Sequence, residues 1–152
     1  MKPMIDKDTH LHVLKIVGQA YVSAHFDEIF PLLAEDCVWS SQWRLDSEDG
    51  RDQVIRYFKA KEEAFIGFEH TCRFAIVELV GDMNLNPSID SNGKRAYVGL
   101  FYPEGKLCIY MEQDLDGQIN GTIIDLTLNE DGLITRIDLC MPELFRFKKY
   151  EG

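Results

Sequence analysis

Two carboxylates in apolar surroundings are the first candidates for chemistry in this sequence. Asp125 lies in a strongly apolar segment, and Glu112 lies between Met111 and Gln113. A carboxylate that faces an apolar cavity is desolvated and can serve as a general acid or base near neutral pH. The alternative places both charges on a solvent-facing or dimer-facing side, because alternation alone does not fix the face of either residue. Both are therefore candidate catalytic residues.

Aromatic side chains are the candidates for binding. Trp39 and Trp43 are four residues apart, so in a strand both would point to one side. Together with other aromatic residues they predict an aromatic cavity wall or, as the alternative, ordinary core packing. Arg73 is a candidate anchor for a ligand carboxylate, with a position on the outer face of a sheet as its alternative. The candidate ligand-binding aromatic residues are Tyr21, Trp39, Trp43, Tyr57, Phe58, Phe101 and Tyr110.

The sequence contains no pattern for a metal or a nucleotide cofactor. His10 and His12 are two residues apart on a predicted helix, so they face different ways. The four cysteines are widely separated, which predicts reduced core thiols instead of disulfides or zinc ligands. Neither a Gly-rich phosphate loop nor a Ser-His-Asp order with a strained turn is present. We therefore expect no cofactor and no metal.

The charge balance limits the partners. Sixteen Lys and Arg residues against 26 Asp and Glu residues give the 152-residue chain a net charge of −10 and a pI near 4.8. Such a surface repels a nucleic acid backbone or an anionic membrane. No apolar run approaches the roughly 18 residues of a membrane span, and the charged start lacks the apolar core of a signal peptide. We expect one cytoplasmic domain over residues 1–152, with no nucleic acid and no membrane as a partner.

Hydrophobic spacing predicts three helices in the first half of the chain. Apolar residues recur every three or four positions from Thr9 to Ala24 and again from about Arg51 to Phe65. Between them, Phe26 to Ala34 is interpreted as a short helix that bends at Pro31. A strand from Cys37 to Trp43 follows it. The helices therefore precede most of the predicted sheet.

The second half of the chain predicts β-structure. Turn signals such as Asp116-Gly117 separate the strands, which indicates an antiparallel meander. Residues 81–94 are predicted to form a flexible loop, and residues 142–152 a C-terminal tail. Helices followed by strands indicate an α+β domain whose helices lie on one face of an antiparallel sheet. The predicted strands are Glu69–Val80, Arg95–Tyr102, Lys106–Asp114, Ile119–Leu128 and Leu133–Met141.

Three segments carry a resemblance to a known superfamily. They are Leu33–Trp39 (LAEDCVW), Gly50–Phe58 (GRDQVIRYF) and a predicted hairpin at Leu126–Asp138 (LTLNEDGLITRID). In this order they resemble the NTF2-like superfamily, which includes ketosteroid isomerases, scytalone dehydratases, polyketide cyclases and nuclear transport factor 2. The resemblance spans about residues 9–141. It implies a cone-shaped, cystatin-like α+β fold, with three N-terminal helices packed on a strongly curved antiparallel sheet.

The resemblance implies different site residues for different activities. The ketosteroid isomerase pattern is not present, because its base position falls on Ser41 and its helical tyrosine position falls near Val17. The dehydratase pattern of two histidines implies His25 and His70, whose alternative role is ordinary hydrogen bonding at element ends. The polyketide cyclase pattern of a single acid in the sheet implies one of the two carboxylates named above.

Three functional hypotheses follow. The first is a protein that binds a small organic molecule in an aromatic, apolar pocket. The second is a cofactor-independent lyase or isomerase of the cyclase or dehydratase type, which uses a pocket carboxylate with a His or Tyr. The third is a protein-interaction module with a filled cavity. Because members of the superfamily commonly dimerise through the sheet, the resemblance implies a homodimer under each hypothesis.

Overall fold

The computed structural model describes residues 6–66, 71–83, 105–115 and 117–151. Two predicted site residues, His70 and Phe101, lie outside the described residues. The same holds for most of the loop predicted at residues 81–94 and for the strand predicted at residues 95–102. The remaining predicted elements can be compared with the structure directly.

Two α-helices form where the hydrophobic spacing predicts them. Helix α1 spans Lys7–Ser23, and its N-cap Asp6 accepts a hydrogen bond from the Thr9 backbone N–H at 2.7 Å. Helix α2 spans Arg51–Ala64 and starts directly after Gly50, whose φ of 92° is easily reached only by glycine. Both helices bury the apolar stripe that their sequences predict.

The predicted third helix, Phe26–Ala34, is wrong. This segment contains only a 3₁₀ turn at Phe30–Leu32, and strand β1 begins at Leu33. Pro31 lies at the start of the turn and has no N–H to donate to a helical hydrogen bond. The segment is also short, and a short segment gains too few hydrogen bonds to offset the cost of starting an α-helix. The structure therefore has two α-helices within the described residues.

The sheet has seven strands within the described residues, in the order β2-β1-β6-β5-β4-β3-β7. Neighbouring strands are antiparallel except β1 and β6, which pair in parallel, so the prediction of a fully antiparallel sheet is corrected at this pair. Register shifts interrupt three of the pairings. The strands are β1 Leu33–Ser41, β2 Glu48–Asp49, β3 Thr71–Met83, β4 Leu107–Leu115, β5 Gln118–Leu128, β6 Ile134–Cys140 and β7 Phe145–Lys149.

The C-terminal segment is not the tail that the sequence predicts. A 3₁₀ turn at Pro142–Leu144 leads into β7, which pairs antiparallel with β3 at the edge of the sheet. The alternation of aromatic and basic residues in Phe145–Lys149 has the two-residue period of a strand. Basic residues near a chain end are also typical of a solvated tail, which is why the sequence predicts a tail here.

The main core lies between the helices and one face of the sheet, called here the helix-covered face. Helix α1 packs on β3 and β4, and α2 packs on β1 and β2. Gly18 allows the close approach of α1, because a Cβ atom at this position would lie 2.5 Å from the Phe74 ring. The opposite side of the sheet is called the outer face. It carries a second apolar cluster, made of Val77, Leu79, Cys108, Ile123 and Cys140.

Neither α-helix of the described residues has the length and apolar character needed to cross a membrane. All four cysteines are free thiols. A single domain over residues 1–152, a cytoplasmic location and a homodimer through the sheet stay predictions.

Candidate functional site

A cleft of about 610 Å³ opens between α2, the end of β1 and the helix-covered face of the sheet. Trp39 and Ser41 come from β1, and Tyr57 and Lys61 from α2, where a spacing of four residues puts both on one side of the helix. The sheet contributes residues of β4, β5 and β6. The cleft is lined by Trp39, Ser41, Trp43, Arg44, Tyr57, Lys61, Met111, Gln113, Ile119, Asn120, Gly121, Thr122, Leu139, Met141 and Glu143.

Three aromatic side chains form one wall of the cleft. The rings of Trp39 and Tyr57 are in contact, with centroids 4.1 Å apart and an interplanar angle of 32°. Trp43 lies beyond the end of β1, and 52% of its surface is exposed. Burial raises the pKa of Tyr57 to about 12, so its hydroxyl stays protonated at neutral pH. The wall is therefore uncharged and offers flat apolar faces.

Two cations flank this wall. The Arg44 guanidinium carbon lies 5.2 Å from the Trp39 ring centroid and 5.7 Å from that of Tyr57. Arg44 also forms a salt bridge with Glu48 at 3.2 Å. Lys61 Nζ lies 5.3 Å from the Phe65 ring, 5.9 Å from Tyr21 and 6.0 Å from Tyr57. These distances are in the range of cation–π contacts.

Lys61 has no counter-ion within the described part of the chain, where no carboxylate forms an ion pair with its ammonium. Burial lowers the pKa of Lys61, and the nearby Cys72 thiol opposes this effect. Desolvation disfavours the charged form of an amine. The cleft therefore contains a partly desolvated ammonium group held among aromatic rings.

The aromatic wall and the core next to it contain two buried polar groups. Tyr21 and Trp39 are each 2% exposed, and neither the Tyr21 hydroxyl nor the Trp39 indole N–H has a hydrogen-bond partner within the described residues. Burial raises the pKa of Tyr21 far above its ordinary value, and the neighbouring Trp39 side chain lowers it by a smaller amount. The Tyr21 hydroxyl and the Trp39 indole N–H do not form a hydrogen bond with each other.

Replacing Tyr21 by phenylalanine tests this arrangement. Because the hydroxyl is desolvated and has no hydrogen-bond partner in the part of the chain that the structure describes, we expect Tyr21→Phe to leave the free energy of unfolding unchanged or to raise it by about 1 kcal/mol. The measurement is urea unfolding followed by circular dichroism. A loss of more than about 1 kcal/mol would show that the hydroxyl makes a stabilising hydrogen bond.

The two predicted catalytic carboxylates do not line the cleft. Met111 and Gln113 face it from β4, so the intervening Glu112 points to the outer face. There Glu112 forms a salt bridge with Arg73 at 2.8 Å, and the Arg73 side chain is 77% exposed. Strand alternation could not settle these faces in advance. Arg73 thus lies on the outer face, which is the alternative that the sequence analysis gives for it.

Asp125 is also on the outer face, fully buried. The Lys106 ammonium lies 2.8 Å from its Oδ1 and 3.0 Å from its Oδ2, and Cys108 Sγ donates to Oδ1 at 3.5 Å. Its neighbour Ile124 packs in the main core on the other side of the sheet. The apolar surroundings that the sequence indicates are real, but they contain a lysine and lie away from the cleft.

The other predicted site residues divide between the cleft and the rest of the fold. Tyr110 points to the outer face, where its ring lies 5.2 Å from that of Phe147. Phe58 is buried in the main core with Tyr21, and His25 is exposed just after α1. Of the predicted wall, the structure brings Trp39, Trp43 and Tyr57 together in the cleft.

Sequence reasoning missed the cations of the cleft. Lys61 follows Tyr57 by four residues, which on a helix places the two side chains side by side. That spacing was the available signal for Lys61. For Arg44 there was none, because its position depends on the turn that follows β1. Among the described residues, no three His, Cys, Asp or Glu side chains are grouped so that they could hold a metal ion.

Comparison with known proteins gives a structural match and no sequence match. No protein-family model matches the chain. No curated protein matches it either. A protein of unknown function with a cystatin-like fold from Methylobium petroleophilum superposes with a TM-score of 0.58 at 12% identity, covering 99% of this chain and 84% of that one.

Two further solved structures agree with this match. A candidate ketosteroid isomerase from Kribbella flavida has a TM-score of 0.56 at 14% identity, with 95% and 85% of the two chains covered. An NTF2-like protein of unknown function from Cytophaga hutchinsonii has a TM-score of 0.51 at 13% identity, with 88% and 96% covered. At these identities the likeness establishes a shared fold and carries no activity with it.

Proposed function

We propose that this chain, which has the NTF2-like, cystatin-like fold, binds a small planar organic molecule in the aromatic cleft. The observation that carries the proposal is the contact between the Trp39 and Tyr57 rings, which line an open cleft together with the half-exposed Trp43. Flat aromatic faces bind flat apolar molecules by burying area and by offset stacking.

The size of the cleft suits such a ligand. Small-molecule sites in proteins commonly have volumes of roughly 300–1,000 Å³ and apolar walls with a few polar groups. The cleft has about 610 Å³ and combines aromatic and aliphatic side chains with a small number of polar ones. The uncharged polar residues that the sheet supplies for orienting a ligand are Ser41, Gln113, Asn120 and Thr122.

An exposed tryptophan beside a cleft also favours binding. Trp43 leaves 52% of its surface in water, and a bound ring would cover part of it. Burying apolar surface contributes roughly 25 cal/mol per Å². Ligand binding would therefore bury apolar surface of Trp43 that folding leaves exposed, and this burial would favour the complex.

The enzyme alternative has less support than binding. A cofactor-independent lyase or isomerase needs an ionisable pair at the reacting atoms. Asp125 and Glu112 lie on the outer face. Among the described residues, the ionisable groups that line the cleft are Arg44, Tyr57, Lys61 and Glu143. No geometric observation supports a catalytic role for any of them. No geometric observation supports the hypothesis of a protein-interaction module either. Binding is therefore the function that we put forward.

The chain provides its own reporters for a binding test. Trp39 and Trp43 are its two tryptophans, and both line the cleft. In a titration of isotope-labelled protein with naphthalenemethanol, a neutral planar compound, we expect both indole N–H signals to shift and to saturate together in the NMR spectrum. Trp43→Ala is expected to weaken the binding about three- to tenfold, as the loss of one aromatic contact.

Leu45→Ala is the matched control, because Leu45 is a fully exposed apolar residue near Trp43 that does not line the cleft. Its affinity for naphthalenemethanol should equal that of the unaltered protein. Indole signals that do not move at saturating ligand, or equal losses in Trp43→Ala and Leu45→Ala, would contradict the proposal.

A further inference from the structure

We propose that the ligand is an aromatic carboxylate and that Lys61 binds its carboxylate group. This inference rests on the proposed function, because it concerns the same cleft. It names the chemical class of the ligand and the residue that selects it.

The environment of the Lys61 ammonium favours the binding of an anion. Its ammonium lies within 6.0 Å of three aromatic ring centroids, and it has no ion-pair partner among the described residues. Glu62, the next residue along the chain, accepts a hydrogen bond from the Phe26 backbone N–H at 2.6 Å and so is directed elsewhere. Aromatic faces offset only part of the cost of withdrawing an ammonium from water. A ligand carboxylate would supply the missing charge.

The second cation of the cleft does not compete for this role. Arg44 is held by Glu48 at 3.2 Å, so its charge is already balanced. Glu143, the carboxylate among the cleft residues, has an interaction of its own. Among the described residues, Lys61 thus supplies a positive charge without an ion-pair partner at the aromatic cleft of a protein whose net charge is −10. Such a charge favours anionic ligands over neutral ones of the same shape.

The geometry favours a carboxylate over a phosphate. Lys61 lies in the last turn of α2, where the negative end of the helix dipole favours its positive charge and opposes any anion, a doubly charged phosphate more than a singly charged carboxylate. A phosphate site usually has several donors, such as a helix N-terminus or a set of backbone N–H groups. Here a single ammonium lies 6.0 Å from the centroid of the Tyr57 ring, which contacts the Trp39 ring. A planar acid can place its ring on this wall and its carboxylate at Lys61.

Two ligands of the same shape test the inference, naphthoate and naphthalenemethanol with the substituent at the same ring position. We expect calorimetry to give the carboxylate an affinity at least about tenfold higher, as for a hydrogen bond between charged groups. Lys61→Met should remove this preference, so that the two compounds bind with equal affinity. Lys61→Arg, which keeps the charge, should retain the preference. Lys59→Met is the matched control, since Lys59 is an exposed lysine of the same helix and its loss changes the net charge equally.

The outcomes separate the two proposals. If the alcohol binds in the cleft but the carboxylate binds no better, or if Lys61→Met keeps the preference, the inference about Lys61 is overturned and the proposed function stands. If neither compound binds, both are overturned. Equal losses of preference in Lys61→Met and Lys59→Met would show a general effect of net charge and would overturn the role of Lys61.

Discussion

Replacing Asp125 by alanine is expected to lower the free energy of unfolding by about 3–5 kcal/mol, the usual cost of breaking a buried ion pair from one side. Asp125 is fully buried, and both of its carboxylate oxygens contact the Lys106 ammonium, at 2.8 and 3.0 Å. The substitution removes these contacts and opens a void between β4 and β6. Urea unfolding followed by circular dichroism measures the effect.

Two comparisons make this prediction specific. Glu112→Ala removes a salt bridge of the same length, 2.8 Å, on the same outer face, but its partner Arg73 is 77% exposed. Exposed pairs contribute little, so the unfolding midpoint should stay close to that of the unaltered protein. The double variant Asp125→Leu with Lys106→Met should recover most of the lost stability, because apolar pairs can replace buried ion pairs. A small effect of Asp125→Ala would contradict a structural role for Asp125 and reopen a functional one.

Truncating Phe58 to alanine is expected to destabilise the fold by about 3–5 kcal/mol, as for other large-to-small changes at buried phenylalanines. Phe58 has no exposed surface, and its ring lies 4.7 Å from that of Phe26, 5.4 Å from Tyr57 and 6.1 Å from Tyr21. It therefore joins α2 to α1 and to the segment before β1. Guanidinium unfolding measures the loss.

Phe58→Leu provides the comparison, because it keeps most of the buried volume and should cost less than about 1.5 kcal/mol. Near-native stability of Phe58→Ala would mean that Phe58 is not in the core. The cleft would then also need a different description, since Tyr57 is held by the same helix.

Much of the fold could be predicted from local pattern. Period-3.6 spacing places both α-helices, and alternation with turn signals places four of the later strands within a few residues. The helix predicted around Pro31 failed because nine residues with an internal proline cannot propagate hydrogen bonds. The parallel pairing of β1 with β6 could not be predicted, because it joins segments that are distant in sequence.

The candidate site was less predictable, and strand faces are the reason. A residue in a strand points to one face or the other according to a register that only the folded sheet fixes. Trp39, Tyr110 and Glu112 are all cavity candidates whose faces the sequence leaves open. Trp39 lies in the cleft, whereas Glu112 and Tyr110 lie on the outer face. The ion pair between Asp125 and Lys106 could not be predicted either, because the two residues are 19 positions apart along the chain.

The most direct test of binding in the cleft is a crystal structure of the protein soaked with naphthalenemethanol. We expect the naphthalene ring to lie against Tyr57 and Trp43, at ring separations typical of stacked aromatic pairs, roughly 4.5–7 Å between centroids. A ring bound instead at the outer face, for example beside Tyr110 and Phe147, would contradict the account. So would a cleft that stays empty while the compound saturates a binding isotherm in solution.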